Sequence, residues 1–405
     1  MTSTPSAATQ SIHLQALRPV VLVRMSAIGD TLLAARTHGP LLQRGYAPIL
    51  LSHQNNASLL NCMPLLRGAC LMSDTDESFW LRKLSSEKIR QVSKSEFERA
   101  LHHHTPVGVQ QTSSTLHILD LQNTHRSKRA IEHFERLFAA TGPKLQIKKV
   151  AKLSFWRIVL VLWSFFSFRQ RRDRTPPRWL KRKLVPVHTL QHHLVDTLAP
   201  QIAPAAFASG LSALSAAQKQ QTEVAERYIL FFVGASFRLK SWPRESFRTL
   251  LNLILAHTTC RIVLCGGSND AAIGEYLTFP AHERISNCIG TTSLAETLGL
   301  IDGAEYVVTG DSFASHAADL LSRPASVIFG ATHPLLGFAP VGNHTSVHHA
   351  GLSCSPCSRH GQGECRFKNL KCLTLVRPEE VFTKIMQTLN SGSQDLDISR
   401  QTPDS

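Results

Sequence analysis

The stretch EYVVTGDSFASHAADLLSRP (Glu305–Pro324) decides how the rest of the chain is read. Tyr306–Thr309 is a short β-branched run, the pattern of a strand buried in a parallel sheet, and Gly310 ends it. Asp311 then stands at the strand's carboxyl end, and Ser312 has the side chain that caps a helix. Ala314, Ala317, Ala318 and Leu321 supply the small and apolar positions of that helix. His316, four residues after Ser312, lies on roughly the same face. Strand, tight turn and capped helix aim backbone N–H groups at an anion on the sheet's carboxyl edge. The same pattern also describes an ordinary βα corner with a polar cap, so the neighbouring corners have to separate the two readings.

Three more corners occur in the same half. Tyr228–Val233 (YILFFV) predicts a strand that opens into Gly234-Ala235-Ser236-Phe237-Arg238-Leu239-Lys240-Ser241-Trp242-Pro243. A turn of small residues followed by Arg and Lys suits a phosphate, because the backbone can approach closely and Lys240 adds a point charge. Ile262–Cys265 predicts a strand ending in Gly266-Gly267, and Ala325–Phe329 one ending in Gly330-Ala331-Thr332. Phe247–Leu255 and Ser293–Ile301 read as intervening helices. Four carboxyl-edge loops of small residues in one domain indicate a nucleotide-type site.

The first half repeats the alternation. Val20–Val23 is a buried-strand run leading into Arg24-Met25-Ser26-Ala27-Ile28-Gly29-Asp30, with a helix from Thr31. Gly29 permits a tight turn. Asp30 is either an acid favoured by the helix dipole or a general base at the mouth of a cleft. No Gly-Lys-Ser/Thr follows, which excludes a Walker loop. Pro48–Ser52 and His117–Leu121 predict further strands, the second entering the polar loop Gln122–Arg129. Such a loop either holds an anionic or polyhydroxyl ligand or is a solvated helix start; Gln122, Asn123 and Arg126, with Arg24 after the first strand, are the candidate ligand contacts of this half. Residues 73–115 are polar and weakly patterned, and His102-His103-His104 read as surface.

At 405 residues the chain has room for two α/β domains. The Ala-, Ser- and Pro-rich residues 199–220 place the boundary. The expected division is a leader (1–17), a first domain (18–205), a second domain (206–389) and a polar tail (390–405). The leader lacks a basic region followed by an apolar run, so no secretory signal is expected. The net charge of +15 is concentrated: residues 144–183 hold thirteen Lys or Arg against the single acid Asp173. Within this segment lies LSFWRIVLVLWSFFSF (Leu153–Phe168), whose apolar run Ile158–Phe168 is too short to span a bilayer and is cut off upstream by Arg157. Phe and Trp beside Lys and Arg fit an anionic membrane interface, where each basic residue is worth about 1 kcal/mol. A core helix followed by a basic loop is the other reading. No helix-turn-helix or RNA-binding signature accompanies the charge, so no nucleic acid is expected.

Nine cysteines do not suggest a disulfide framework, but Cys354, Cys357, Cys365 and Cys372 cluster. Four thiols have the chemistry of a structural zinc site; reduced thiols and disulfides stay open as alternatives.

Taken together, RMSAIGDTLLA, LDLQNTHRSKRA, GASFRLKSWPRESF, TGDSFASHAADLLSRP and FGATHP resemble glycosyltransferase family 9, the lipopolysaccharide heptosyltransferases. The resemblance covers about residues 18–40, 115–135 and 225–385. It implies an α/β GT-B fold, two Rossmann-like domains whose parallel sheets face a central cleft. It also implies inverting transfer of heptose from an ADP-sugar donor to a lipid A-core glycolipid acceptor. Asp30 would then be the general base, Lys240 and Ser236 would hold the donor diphosphate, and Gly266, Asp311, Ser312 and His316 would line the donor site. No cofactor would be required for catalysis. The protein would work in the cytoplasm, peripheral on the anionic inner-membrane surface. Phe313 departs from the many members that carry Gly after the Asp-Ser/Thr pair. A transferase using another nucleotide sugar, and a GT-B-like binding protein without catalysis, are the competing readings.

Overall fold

The computed structural model describes residues 14, 17–25, 28–63, 65–73, 76–83, 87–101, 115–139, 143–151, 154–169, 176–198 and 227–398. Residues 102–104 and 199–220 lie outside them. The chain forms two compact units: Met1–Lys152 with Val187–Val224, and Leu153–Pro186 with Ala225–Ser405.

The first unit is built on seven strands: β1 (Arg18–Arg24), β2 (Tyr46–His53), β3 (Gly68–Met72), β4 (Glu77–Leu81), β5 (Arg90–Val92), β6 (Thr115–Asp120) and β7 (Lys144–Lys149). Their order is β5-β4-β3-β2-β1-β6-β7. The run β3-β2-β1-β6-β7 is parallel, and β4 and β5 extend it antiparallel. The middle of β1, Val20–Val23, is apolar throughout because helices cover both of its faces. Val21 and Val23 pack with Ile49, Leu51, Ile118 and Phe134. Val20 and Leu22 point the other way, to Leu41, Leu119, Leu194 and Val195. β4, β5 and the helix Lys94–Leu101 occupy the stretch that reads as weakly patterned, since within these three elements only Phe79, Leu81, Phe97 and Leu101 are buried.

The second unit has six strands: β8 (Tyr228–Phe232), β9 (Arg261–Cys265), β10 (Ile285–Asn287), β11 (Tyr306–Gly310), β12 (Ala325–Phe329) and β13 (Thr345–His349). All are parallel, in the order β10-β9-β8-β11-β12-β13. Parallel neighbours need crossover helices, and Arg244–His257, Ala271–Thr278, Leu294–Gly303 and Phe313–Leu320 provide them. The core joins Phe231, Trp242, Phe247, Leu250 and Ile254 to Val381, Ile385 and Leu389 of the last helix. That helix, Pro378–Ile398, continues through residues expected to be a polar tail. Nothing in NSGSQDLDI blocks the backbone, as the next proline is Pro403.

The basic, aromatic segment, expected in the first domain, is divided: Lys144–Lys149 forms β7 of the first unit, and the chain from Leu153 onward is grouped with the second. Leu160 of the helix Ser154–Arg169 packs with Leu180, Leu184 and Leu336, and the Ser164 hydroxyl donates to the Pro356 carbonyl at 2.6 Å. The chain then returns to the first unit through the helix Val187–Asp196, tied there by Arg44–Asp196 at 2.7 Å.

His38 is 3% exposed, and burial, helped by Arg82, lowers its pKa to about 3. An unfolded histidine titrates near 6.5, so between these values the unfolded chain binds the extra proton and stability falls as pH falls. Lowering pH from 7.5 to 5 should cost about 2 kcal/mol at His38. Urea unfolding at the two pH values checks this. An equal midpoint in the parent and in His38→Gln at pH 5, given equal midpoints at pH 7.5, would show that the imidazole is not held neutral.

Candidate active site

In an open parallel sheet, ligands bind outside the carboxyl ends of the strands where the strand order reverses. That point lies between β1 and β6 in the first unit and between β8 and β11 in the second. Asp30 and Lys240, the two residues to which the sequence assigns chemistry, follow β1 and β8.

In the first unit Arg24 ends β1 and is 6% exposed. Its guanidinium meets Asp30 Oδ1 at 3.1 Å and donates to the Leu121 carbonyl at 2.8 Å. Asp30 sits in the first turn of the helix Ile28–Ala35, with its side chain 32% exposed. The arginine therefore fixes the orientation of a carboxylate that still reaches solvent. One guanidinium contact leaves such a group acceptor sites for a further hydrogen bond.

The β6 loop is tied to its own backbone. Asp120, 1% exposed, accepts from the Gln122 amide at 3.1 Å, the Asn123 amide at 2.8 Å and the Ser127 hydroxyl at 3.0 Å. Gln122 Oε1 accepts from the Met25 amide at 2.8 Å, and Asn123 Nδ2 donates to the Val150 carbonyl at 2.8 Å. Arg24 and Gln122, expected to face a ligand, thus hold the β1 and β6 loops together, and Asn123 ties the β6 loop to the end of β7. Arg126 is exposed on the first turn of the helix His125–Leu137. Asp120 escaped the sequence reading because it looks like one residue of the strand HILDL.

In the second unit Lys240 ends the short helical turn Arg238–Lys240, and its ammonium lies 3.0 Å from Asp311 Oδ2. The Thr332 hydroxyl donates to the same oxygen at 2.8 Å, which joins the loops after β8, β11 and β12. Ser312 caps the helix Phe313–Leu320 by accepting from the Ala314 amide at 3.2 Å, and Thr309 meets its hydroxyl at 2.9 Å. His316 is buried one turn further on. Phe313 stands edge-on to Phe232 with ring centroids 6.1 Å apart. Ser236 is exposed on the β8 loop.

The strand-end glycines serve packing more than the expected ligand approach. A β-carbon on Gly310 would lie 2.5 Å from the Lys240 carbonyl oxygen, and one on Gly330 2.6 Å from that of Leu239. Both glycines admit the turn that carries Lys240. Gly234 and Gly266 likewise leave room for the Asp270 carboxylate, which accepts from the Gly267 amide at 2.9 Å. Burial raises the Asp270 pKa, against the lowering effect of that amide. Asp270 is a further residue of the site that the sequence reading missed.

The four clustered cysteines line one cavity of about 350 Å³ together with Arg366 and Lys371. Burial raises Cys354 and Cys357 and pushes Cys372 up to about 12. Burial also acts to raise Cys365, but backbone hydrogen bonds from residues 367–370 outweigh it and leave this thiol lowered. Among the described residues no three His, Cys, Asp or Glu side chains are gathered closely enough to hold a metal ion. The thiols share a cavity, but their arrangement does not fit the expected zinc site.

Two sheets, each with a switch-point edge, define a two-domain α/β protein built for ligand binding at the strands' carboxyl ends. Residues 164–370, just over half of the chain, match the model for Glycosyltransferase family 9 (heptosyltransferase), and the chain belongs to that family. Over 114 residues it is 27% identical to lipopolysaccharide heptosyltransferase 1 of Salmonella typhimurium; this covers 28% of the chain and 35% of that relative's length. The E. coli ADP-heptose lps heptosyltransferase II superposes with a TM-score of 0.53 at 15% identity, over 93% of this chain and 100% of that one. E. coli heptosyltransferase WaaC with ADP gives 0.53 at 18% identity, over 91% and 99%. The family 9 glycosyl transferase of Veillonella parvula gives 0.55 at 14% identity, over 92% and 98%. The GT-B fold is shared with all three.

Removing one member of the Lys240–Asp311 pair leaves the other charge largely buried, since the side chains are 17% and 9% exposed. Asp311→Asn or Lys240→Met should each destabilise the protein by about 3 kcal/mol. The double variant should lose clearly less than the sum, as coupled sites do. Denaturant unfolding of the three variants measures this, and strict additivity would show that the pair does not interact.

Proposed function

We propose that the protein is an inverting glycosyltransferase that moves heptose from ADP-heptose to the inner core of a lipopolysaccharide-type glycolipid. The observation that carries the reading is the Lys240–Asp311 pair beside the Ser312-capped helix at the switch point of the second sheet. Family membership supports glycosyl transfer. The name of the Salmonella relative and the ADP in one structural neighbour support the donor and acceptor classes.

In this mechanism the acceptor hydroxyl oxygen attacks the anomeric carbon from the face opposite the diphosphate. The new C–O bond forms as the bond to the diphosphate oxygen breaks, and its electron pair leaves with ADP. Asp30, held by Arg24, takes the hydroxyl proton. Lys240 and the start of the helix Phe313–Leu320 offset the charge that develops on the diphosphate. Asp311 keeps the ammonium in place. Asp270, in the loop after the second strand of this sheet, takes the part of the acid that binds a ribose hydroxyl in dinucleotide folds; its position after that strand supports the reading. A lipid-borne acceptor puts the protein at the cytoplasmic face of the membrane that carries it.

Phe313 favours a second reading, a family 9 transferase with another nucleotide sugar, because its ring occupies the helix start beside the donor loops. Thermal shifts with ADP, UDP, GDP and CMP separate the two readings. Selective stabilisation by ADP, growing with concentration, is expected; stabilisation by UDP or GDP instead would discard heptose.

Asp30→Asn should abolish transfer while retaining the ADP shift, and undiminished turnover would remove Asp30 from the mechanism. Lys240→Ala should weaken ADP binding by about tenfold or more; unchanged affinity would sink its phosphate role.

A further inference from the structure

The aromatic helix Ser154–Arg169 is apolar almost all round, which in a globular protein predicts burial on every side. Among the described side chains the structure buries one side only. Leu160 and Ser164 face the second unit, whereas Phe155, Ile158 and Leu162 are 63%, 42% and 50% exposed. These three follow an i, i+3, i+7 spacing and form one stripe along the helix. Trp179 of the adjoining helix Arg178–Lys183 is 55% exposed and stands edge-on to Trp156 at 6.3 Å. The Lys183 ammonium lies 5.8 Å from the centre of the Trp156 ring. Arg178, Lys181, Arg182 and Lys183 are all exposed beside the stripe, and neither helix contains an acid. A contiguous apolar stripe of this kind marks an interaction site. Its border of cations selects a partner that is apolar within and anionic at its surface. Among the described residues no helix is long and apolar enough to cross a membrane.

We infer that this face docks on an anionic lipid bilayer. Phe155, Ile158, Leu162 and Trp179 enter the headgroup region, and the Arg178–Lys183 cations rest on lipid phosphates. The inference goes beyond the transfer reading and does not depend on it.

Sedimentation with phosphatidylcholine vesicles, with and without about one third phosphatidylglycerol, tests it. The full chain should bind the anionic vesicles and release as salt rises. Phe155→Ser/Leu162→Ser and, separately, Lys181→Glu/Arg182→Glu should each weaken binding by about tenfold. All these side chains are exposed, so melting temperature and ADP-induced shift should not change. Undiminished binding by the Ser variant, or equal binding to neutral vesicles, would overturn the proposal. So would tighter, charge-dependent binding to an oligonucleotide, or a dimer that the Ser variant splits, which would make a second copy the occupant. Vesicle binding without any nucleotide shift would instead leave this proposal standing and remove the transfer reading.

Discussion

The second unit is organised around one close approach: the turn Arg238–Lys240 seated against the ends of β11 and β12. The Leu239 carbonyl accepts from the Ala331 amide at 3.1 Å, and neither Gly310 nor Gly330 could carry a side chain there. This seat allows Lys240 to reach Asp311 from a loop that begins at another strand. Gly361 presses on the aliphatic stem of Lys240 from the cysteine-bearing loop, at a φ of +81° that favours glycine. Ser355 secures that loop by donating to the carbonyls of Gly330 and Thr332. The ammonium is thus placed by backbone packing before any ligand arrives, which is the preorganisation that charge stabilisation in catalysis requires.

Much of this was legible in the chain. VVLV and YILFFV could only be strands covered on both faces, and the capped helix after Gly310 forms where the pattern puts it. Asp30, Lys240, Asp311 and Ser312 all lie at switch-point loops. Less legible was what each polar side chain touches. Gln122 and Asn123 look like ligand contacts in a loop, yet their hydrogen bonds run to Met25 and Val150, and sequence spacing carries no information about such distant partners. Asp270 was hidden for the same reason, being one acid in a polar turn until Gly234 and Gly266 are seen to make way for it. β4 and β5 were missed because an edge of a sheet needs few apolar residues.

The aromatic segment shows a different limit. Its composition suggested an interface, but a helix apolar on every side offers no periodicity from which to choose its buried face. That choice is made by Leu335, Leu336 and Phe338, which lie far along the sequence. Arg157 adds to it by stacking over the Phe338 ring at 4.6 Å.

The distance between Leu160 and Leu336 also sets an order of events during synthesis. The chain enters the second unit at Leu153, leaves it after Pro186 and comes back only at Ala225. The first unit can close once the helix Val187–Asp196 has been made, whereas the aromatic helix must wait for residues some 170 positions downstream. At translation rates of about 5–20 residues per second that delay is roughly 10–35 s. Throughout it, the side of the helix destined for Leu336 has only Leu180 and Leu184 of its own cluster available to cover it. The nascent chain therefore passes through a stage in which an apolar helix is already made while the second sheet, which ends at Thr345–His349, is still incomplete.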